Sequence, residues 1–211
     1  MPNEGLQAEG EELKIQVPES STLQRKLAKK IVSENGEKAA DTLSYLRRRD
    51  WKERSLYCFI WGEIGKSNPE QSFAVIREMA SDEDWRVREA AATALTEISV
   101  KHREAFLEEM EKWAVDVDPN VRRAAAESLR VIARREPALV VPVIEKLRRD
   151  ENRYVRDAVA HILREATKAD RTLVMETCKA WLKDRNRYTE YIVRHGTKKL
   201  TDEERKIVWS R

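Results

Sequence analysis

The sequence is poor in the residues that staple a fold, bind metal or break helices. Its 211 residues include two cysteines, three histidines and six glycines. Cys58 and Cys178 fit neither a metal-ligand spacing nor a disulfide framework, so a reducing cytoplasm is the expected location. With only three scattered histidines a zinc site is not expected either, and no cofactor or metal is called for. No glycine stands between Gly65 and Gly196, which favours helix through the middle of the chain. No apolar run approaches the ~20 residues of a membrane span. The first residues, MPNEGLQAEGEELKIQ, lack the basic-then-apolar order of a secretory signal. Membrane-spanning and disulfide-stapled secreted classes are therefore not expected.

Charge is abundant and unevenly placed. Charged residues make up 37% of the chain, yet the net is only +3. Residues 1–21 hold Glu4, Glu9, Glu11, Glu12 and Glu19 against Lys14, a net of −4 that leaves +7 on the remainder. With Pro2, Gly5, Gly10 and Pro18 this acidic segment reads as a flexible tail, followed by one domain over 22–211. A mildly basic body suits a polyanionic partner but does not demand one.

A 34-residue frame organises that body. Asp84-Trp85-Arg86-Val87-Arg88-Glu89-Ala90 is followed by Asp118-Pro119-Asn120-Val121-Arg122-Arg123-Ala124, then by Asn152-Arg153-Tyr154-Val155-Arg156-Asp157-Ala158. One step earlier lie Asp50, Trp51 and Arg54, and Val193-Arg194-His195 follows Val155-Arg156 after 38 residues, which reads as a repeat with a slightly longer loop. A period in this range marks a solenoid. The expected fold is all-α, a right-handed HEAT-like superhelix of about five to six helix pairs. A tetratricopeptide array shares the period, but its Trp, Gly and Tyr offsets are missing. Arg54, Arg88, Arg122 and Arg156 read mainly as a structural ladder between turns.

Capping residues and breakers place the helices. A first helix is expected over about 22–34 and a second over 37–48. B helices should start near Trp51, Trp85, Pro119, Arg153 and Thr189, with A helices over about 69–80, 104–114, 137–149 and 172–183. Pro69 and Pro137 fall in first turns, where proline costs no hydrogen bond. Thr201 to Glu204 form a capping box for a short closing helix. Trp113 and Trp181, near A-helix ends, are expected in the core.

The residue after each ladder arginine is free of stacking constraints, and it reads Ser55, Glu89, Arg123, Asp157, His195. Positions four and seven further on lie about 40° and 20° away around a helix, on the same face. That face carries Glu89, Thr93 and Thr96, then Arg123, Glu127 and Arg130, then Asp157, His161 and Arg164, then His195 and Lys199. Side by side these rows form an inner wall. Its interleaved acids and bases are either salt bridges between repeats or a phosphate-gripping groove with acids held back for chemistry.

Several stretches on that wall carry a family resemblance. Trp85-Arg-Val-Arg-Glu89-Ala-Ala, Trp113 with Val121-Arg-Arg123-Ala-Ala-Ala-Glu127, Tyr154 to Lys168, and Tyr191-Ile-Val-Arg-His195 to Leu200 resemble the DNA alkylation-repair glycosylases built from HEAT-like repeats (alkylpurine DNA glycosylases). The likeness spans about residues 80–200. It implies hydrolysis of the N-glycosidic bond of cationic 3-methyl- or 7-methylpurines in duplex DNA, without metal, by a monomer. Catalytic roles fall on Glu89, Trp85 and Glu127. DNA contacts fall on Arg123, Arg130, His161, Arg164, His195 and Lys199. The chain departs from the family in carrying His161 where one branch has Trp and the other usually has Asn. It also has Glu at position 89 where the first branch has Asp, and residues 1–50 match neither branch. Beside the resemblance stand plainer readings: Trp85 packs between repeats, Glu89 bridges to Arg123, and the array is a non-enzymatic module binding DNA structures or a protein.

Overall fold

The computed structural model describes residues 15–210 and, among them, only helices and their connections. The chain runs α1 (Ser21–Asn35), α2 (Lys38–Thr42), a 3₁₀ turn (Ser44–Arg48), α3 (Trp51–Ile64), α4 (Pro69–Ala80) and α5 (Trp85–Ser99). It continues through α6 (Arg103–Trp113), α7 (Pro119–Ser128), α8 (Arg130–Ala133), a second 3₁₀ turn (Pro137–Val140) and α9 (Val141–Lys146). It closes with α10 (Arg153–Ala166), α11 (Arg171–Leu182), α12 (Arg187–Gly196) and α13 (Asp202–Trp209). None of these is long and apolar enough to cross a membrane. The acidic segment 1–21 lies, over residues 1–14, outside the described residues; Ile15 and Val17 pack against the core.

Asp50, Asp84, Asp118, Asn152 and Asn186 stand 34 residues apart and open α3, α5, α7, α10 and α12. Each side chain accepts from backbone N–H groups two or three residues on, as Asp118 does from Asn120 at 2.8 Å and Asn186 from Tyr188 at 2.9 Å. Such caps satisfy donors that a helix N-terminus would otherwise leave bare. Behind the last four caps the same position is wholly buried: Val87, Val121, Val155 and Thr189. Leu95, Leu129 and Leu163 are buried likewise, and so are Trp113 and Trp181 at the ends of α6 and α11.

These B helices stack in one row, α1 on α3, then α5, α7, α10 and α12, more closely than the A helices on the other side do. The array therefore curves with the B row inside, the α-solenoid expected of HEAT-like repeats. Gly62 permits a close backbone approach of α3 to α5, since a Cβ there would lie 2.9 Å from the Ala94 Cβ.

The ladder is built differently from repeat to repeat. Arg54 grips Asp82 at 2.8 and 2.9 Å, and Arg122 grips Asp150 at 2.6 and 3.1 Å, each reaching 28 residues ahead. Arg88 and Arg156 instead hold loop carbonyls, Asp82 and Glu83 for one, Asp150 and Glu151 for the other. Their natural partners are taken: Arg77 holds Asp116, and Arg148 and Arg149 hold Asp184.

Three expectations need correction. The last repeat has no longer loop: α12 starts at Arg187, 34 after Arg153, and the Val-Arg pair has moved four residues along the helix, about one turn. Tyr191, rather than His195, is thus the counterpart of Asp157, and its hydroxyl donates to Asp157 at 2.6 Å. The helix expected over 137–149 starts as a 3₁₀ turn and becomes α9 only at Val141, where Pro142 falls in the first turn and lacks the N–H to continue an earlier ladder. The one expected over 37–48 divides at Leu43, whose φ of −103° is not helical.

Candidate functional site

Every third or fourth residue of a B helix faces the inner wall, and the 34-residue stacking sets each one beside its counterpart. Arg123 on α7 donates to Glu89 Oε1 on α5 at 2.6 Å, a pair 34 residues apart. About half of the Glu89 side chain remains exposed. Trp85 lies one turn before Glu89 and is 61% exposed, so the two share an open face. Its counterpart Trp51 differs, being half-buried against the core with the Arg86 guanidinium 4.1 Å from its ring centroid. Packing between repeats is therefore Trp51's role and not that of Trp85.

Next along the wall, Glu127 takes Arg130 at 3.4 Å and stands 3.6 Å from His161 Nδ1. Between these rows opens a cavity of about 220 Å³, bordered by Glu89, Thr93, Thr96, Glu127 and Arg130 and also lined by Arg25 and Glu97. A shallower cleft joins Glu89 and Glu127 past Asn120 and Arg123. Trp85, Glu89, Arg123, Glu127, Arg130 and His161 thus form one neighbourhood. Arg164, His195 and Lys199 lie further along the array. Arg164 donates to the His195 carbonyl at 3.1 Å, His195 stacks on Tyr191 with ring centroids 4.1 Å apart, and Lys199 donates to Glu165 at 3.2 Å.

The environment tunes three of these groups. Burial lowers the pKa of His161 and outweighs the pull of Glu127, while Arg130 and Arg164 push in the same direction as burial. Burial would raise the Glu165 carboxyl, but hydrogen bonds from Lys168, Arg134 and Lys199 reverse that and bring it to about 2. Glu97 is likewise pushed up by burial and pulled below the usual carboxylate range by Lys66 and Arg25.

Glu165, Arg134, Glu97 and Arg25 were not singled out by the sequence patterns. Glu165 and Lys199 do stand 34 residues apart, a signal present in the sequence, but Glu165 falls outside the face defined by steps of four and seven. The Arg25 to Glu97 contact spans 72 residues and had no periodic signature. Among the described residues no group of His, Cys, Asp and Glu is arranged to hold a metal ion.

Comparison with known proteins agrees with this architecture. Residues 39–130 match the family of HEAT repeats, and residues 99–200 match the family described as DNA alkylation repair enzyme. No curated protein matches the chain. Among solved structures, smu.31 from Streptococcus mutans UA159 is 25% identical, with 84% of this chain and 91% of that one covered at a TM-score of 0.74. AlkD2 from Streptococcus mutans is 24% identical over 90% and 93%, at 0.76. The Pseudomonas fluorescens alkylpurine DNA glycosylase AlkC, bound to DNA containing an abasic site analog, is 19% identical over 88% and 54%, at 0.69. Over residues 99–200 the chain is similar in sequence to the DNA alkylation repair enzymes, and over most of its length it shares its fold with AlkD2 and AlkC.

Proposed function

We propose that this protein is a DNA glycosylase that releases cationic N-alkylated bases, 3-methyl- or 7-methylpurines, from duplex DNA lying along the inner wall. The observation that carries the reading is the placement of Trp85 and Glu89 one turn apart on an open face, with Arg123 against the carboxylate. The DNA alkylation repair family over residues 99–200 supplies the substrate class. An alkylpurine DNA glycosylase sharing the fold supports it.

The chemistry asks little of the protein beyond placed charge. An N-alkylated purine already carries a positive charge, so it leaves with the bonding pair as a neutral base and needs no protonation. Positive charge then develops on the sugar. Glu89, beside it, stabilises that charge and orients the water that adds to the anomeric carbon, whose proton passes to the carboxylate. Trp85 lies against the deoxyribose and lesion, its negative ring face favouring a cationic neighbour. Glu127 supplies a second carboxylate across the cleft. Arg123, Arg130, His161, Arg164, His195 and Lys199 hold the strand on either side, the arginines and the lysine through backbone phosphates. His161, whose pKa burial lowers, serves as a hydrogen-bonding group.

Mass spectrometry of bases released from methylated duplex DNA tests the proposal, with Glu89→Gln as control. Release of a methylpurine, lost in the variant, supports it and names the substrate. Absence of release from folded protein that binds DNA would replace it with a non-enzymatic module for DNA structures, in which Glu89 and Arg123 are only a bridge between repeats.

A further inference from the structure

Glu165 occupies the last turn of α10 with a side chain only 6% exposed, and three cations converge on it. Arg134 donates through Nε and Lys168 through Nζ, at 2.9 Å, to Oε2; Lys199 donates to Oε1 at 3.2 Å. His161 Nε2 lies 3.9 Å away. The three cations come from three successive repeats, just beyond the ends of α8, α10 and α12. Their side chains remain 47%, 50% and 39% exposed.

We propose that this cluster is a built phosphodiester site, in which Glu165 is a positioning residue that fixes Arg134, Lys168 and Lys199 for the backbone of a nucleic-acid strand. This rests on the DNA-binding reading above but not on base excision. Three cations over one carboxylate leave a local charge of +2. Each cation commits one donor to Glu165, out of three on a lysine and five on an arginine, so donors remain for a ligand. Without the central acid the three like charges would repel one another and spread into solvent. With it their rotamer freedom is already restricted before the strand arrives, which lowers the cost of ordering them on binding. The acid is buried and the bases are half open, so a phosphate meets the cations first. The site continues the wall that holds Arg123, Arg130 and Arg164, which suits a long polyanion better than an isolated small anion.

The test turns on a sign. Removing a negative charge beside a DNA site should, by Coulomb attraction alone, tighten binding. If Glu165 positions the cations, Glu165→Gln should instead weaken it. The measurement is fluorescence anisotropy of a labelled, unmodified duplex with the full chain over a salt series, at temperatures where circular dichroism shows both proteins folded. The expected result is a loss of roughly 3–10-fold in affinity and a salt slope smaller by about one unit, as when one phosphate contact is lost. Unchanged or tighter binding by Glu165→Gln overturns the proposal. Lys199→Gln, at a more exposed position, gives a second reading if the first variant fails to fold. It should lower the slope by about one unit, and an unchanged slope overturns the site. Wild-type protein that does not bind duplex DNA overturns both this site and the glycosylase reading. Binding without base release leaves this site standing and removes only the catalysis.

Discussion

Glu89 is held by Arg123 at 2.6 Å while about half of its side chain faces solvent. A pair this exposed contributes about 0–1 kcal/mol to stability, so neither partner is needed to keep the fold. Glu89→Gln keeps the shape and an acceptor for Arg123 but loses the charge. Excision in single-turnover assays should fall by roughly 10²–10⁴-fold, with DNA affinity within a few-fold of wild type. A large loss of binding at an unchanged rate would remove Glu89 from catalysis. Arg123→Ala should weaken binding to all sequences alike and reduce the salt slope by about one unit. An unchanged slope would leave Arg123 as a bridge alone.

Elements in this protein owe their positions to caps and to close approach. Asp50, Asp84, Asp118, Asn152 and Asn186 start the inner helices at a constant spacing, and small residues let those helices stack. Gly62 on α3 faces Ala94 on α5, and an added methyl would meet both the Ala94 Cβ at 2.9 Å and its Cα at 3.1 Å. Backbone cannot move aside as a long side chain can. Gly62→Ala should therefore cost about 1–3 kcal/mol, the usual penalty for overpacking. For a chain of this size that is a fall of several degrees in Tm, at about 2–4 °C per kcal/mol. An unchanged thermal scan would mean that α3 and α5 lie further apart than described.

At the scale of the whole molecule each repeat touches mainly its neighbours, so stability is close to a sum of repeats and their interfaces. The closing helix α13 packs on α11 and buries Val208 there, and Arg171 is paired with Glu204. Removing residues 201–211 should expose that end and lower hydrogen-exchange protection in α11 and α12 most, with α3 and α5 little changed. Uniform loss of protection along the chain would mean that the array unfolds as one unit. Glu165 links three of these repeats through one carboxylate. Because its folded pKa is depressed, its contribution is complete above the ordinary carboxylate range and is lost as pH falls toward about 2.

Much of this was legible in the sequence. The 34-residue period, the buried valines and leucines and the wall facing inward follow from helical geometry, because a repeat that stacks must present the same face at the same step. That Trp85 and Glu89 share a face is a matter of four residues on a helix. The sequence did not determine that Trp85 is open while Trp51 is covered, since that depends on where Arg86 lies once α3 and α5 have packed. Nor did it determine the true register of the last repeat, because a shift of four residues keeps nearly the same helical face and so leaves the pattern ambiguous. Lys168 is a neighbour of Glu165 three residues on and Lys199 stands one period away, but the meeting of Arg134 with Glu165 across repeats was decided only by tertiary structure. A buried charge is stable where its partners arrive from other turns of the solenoid, and local sequence carries no record of that arrival.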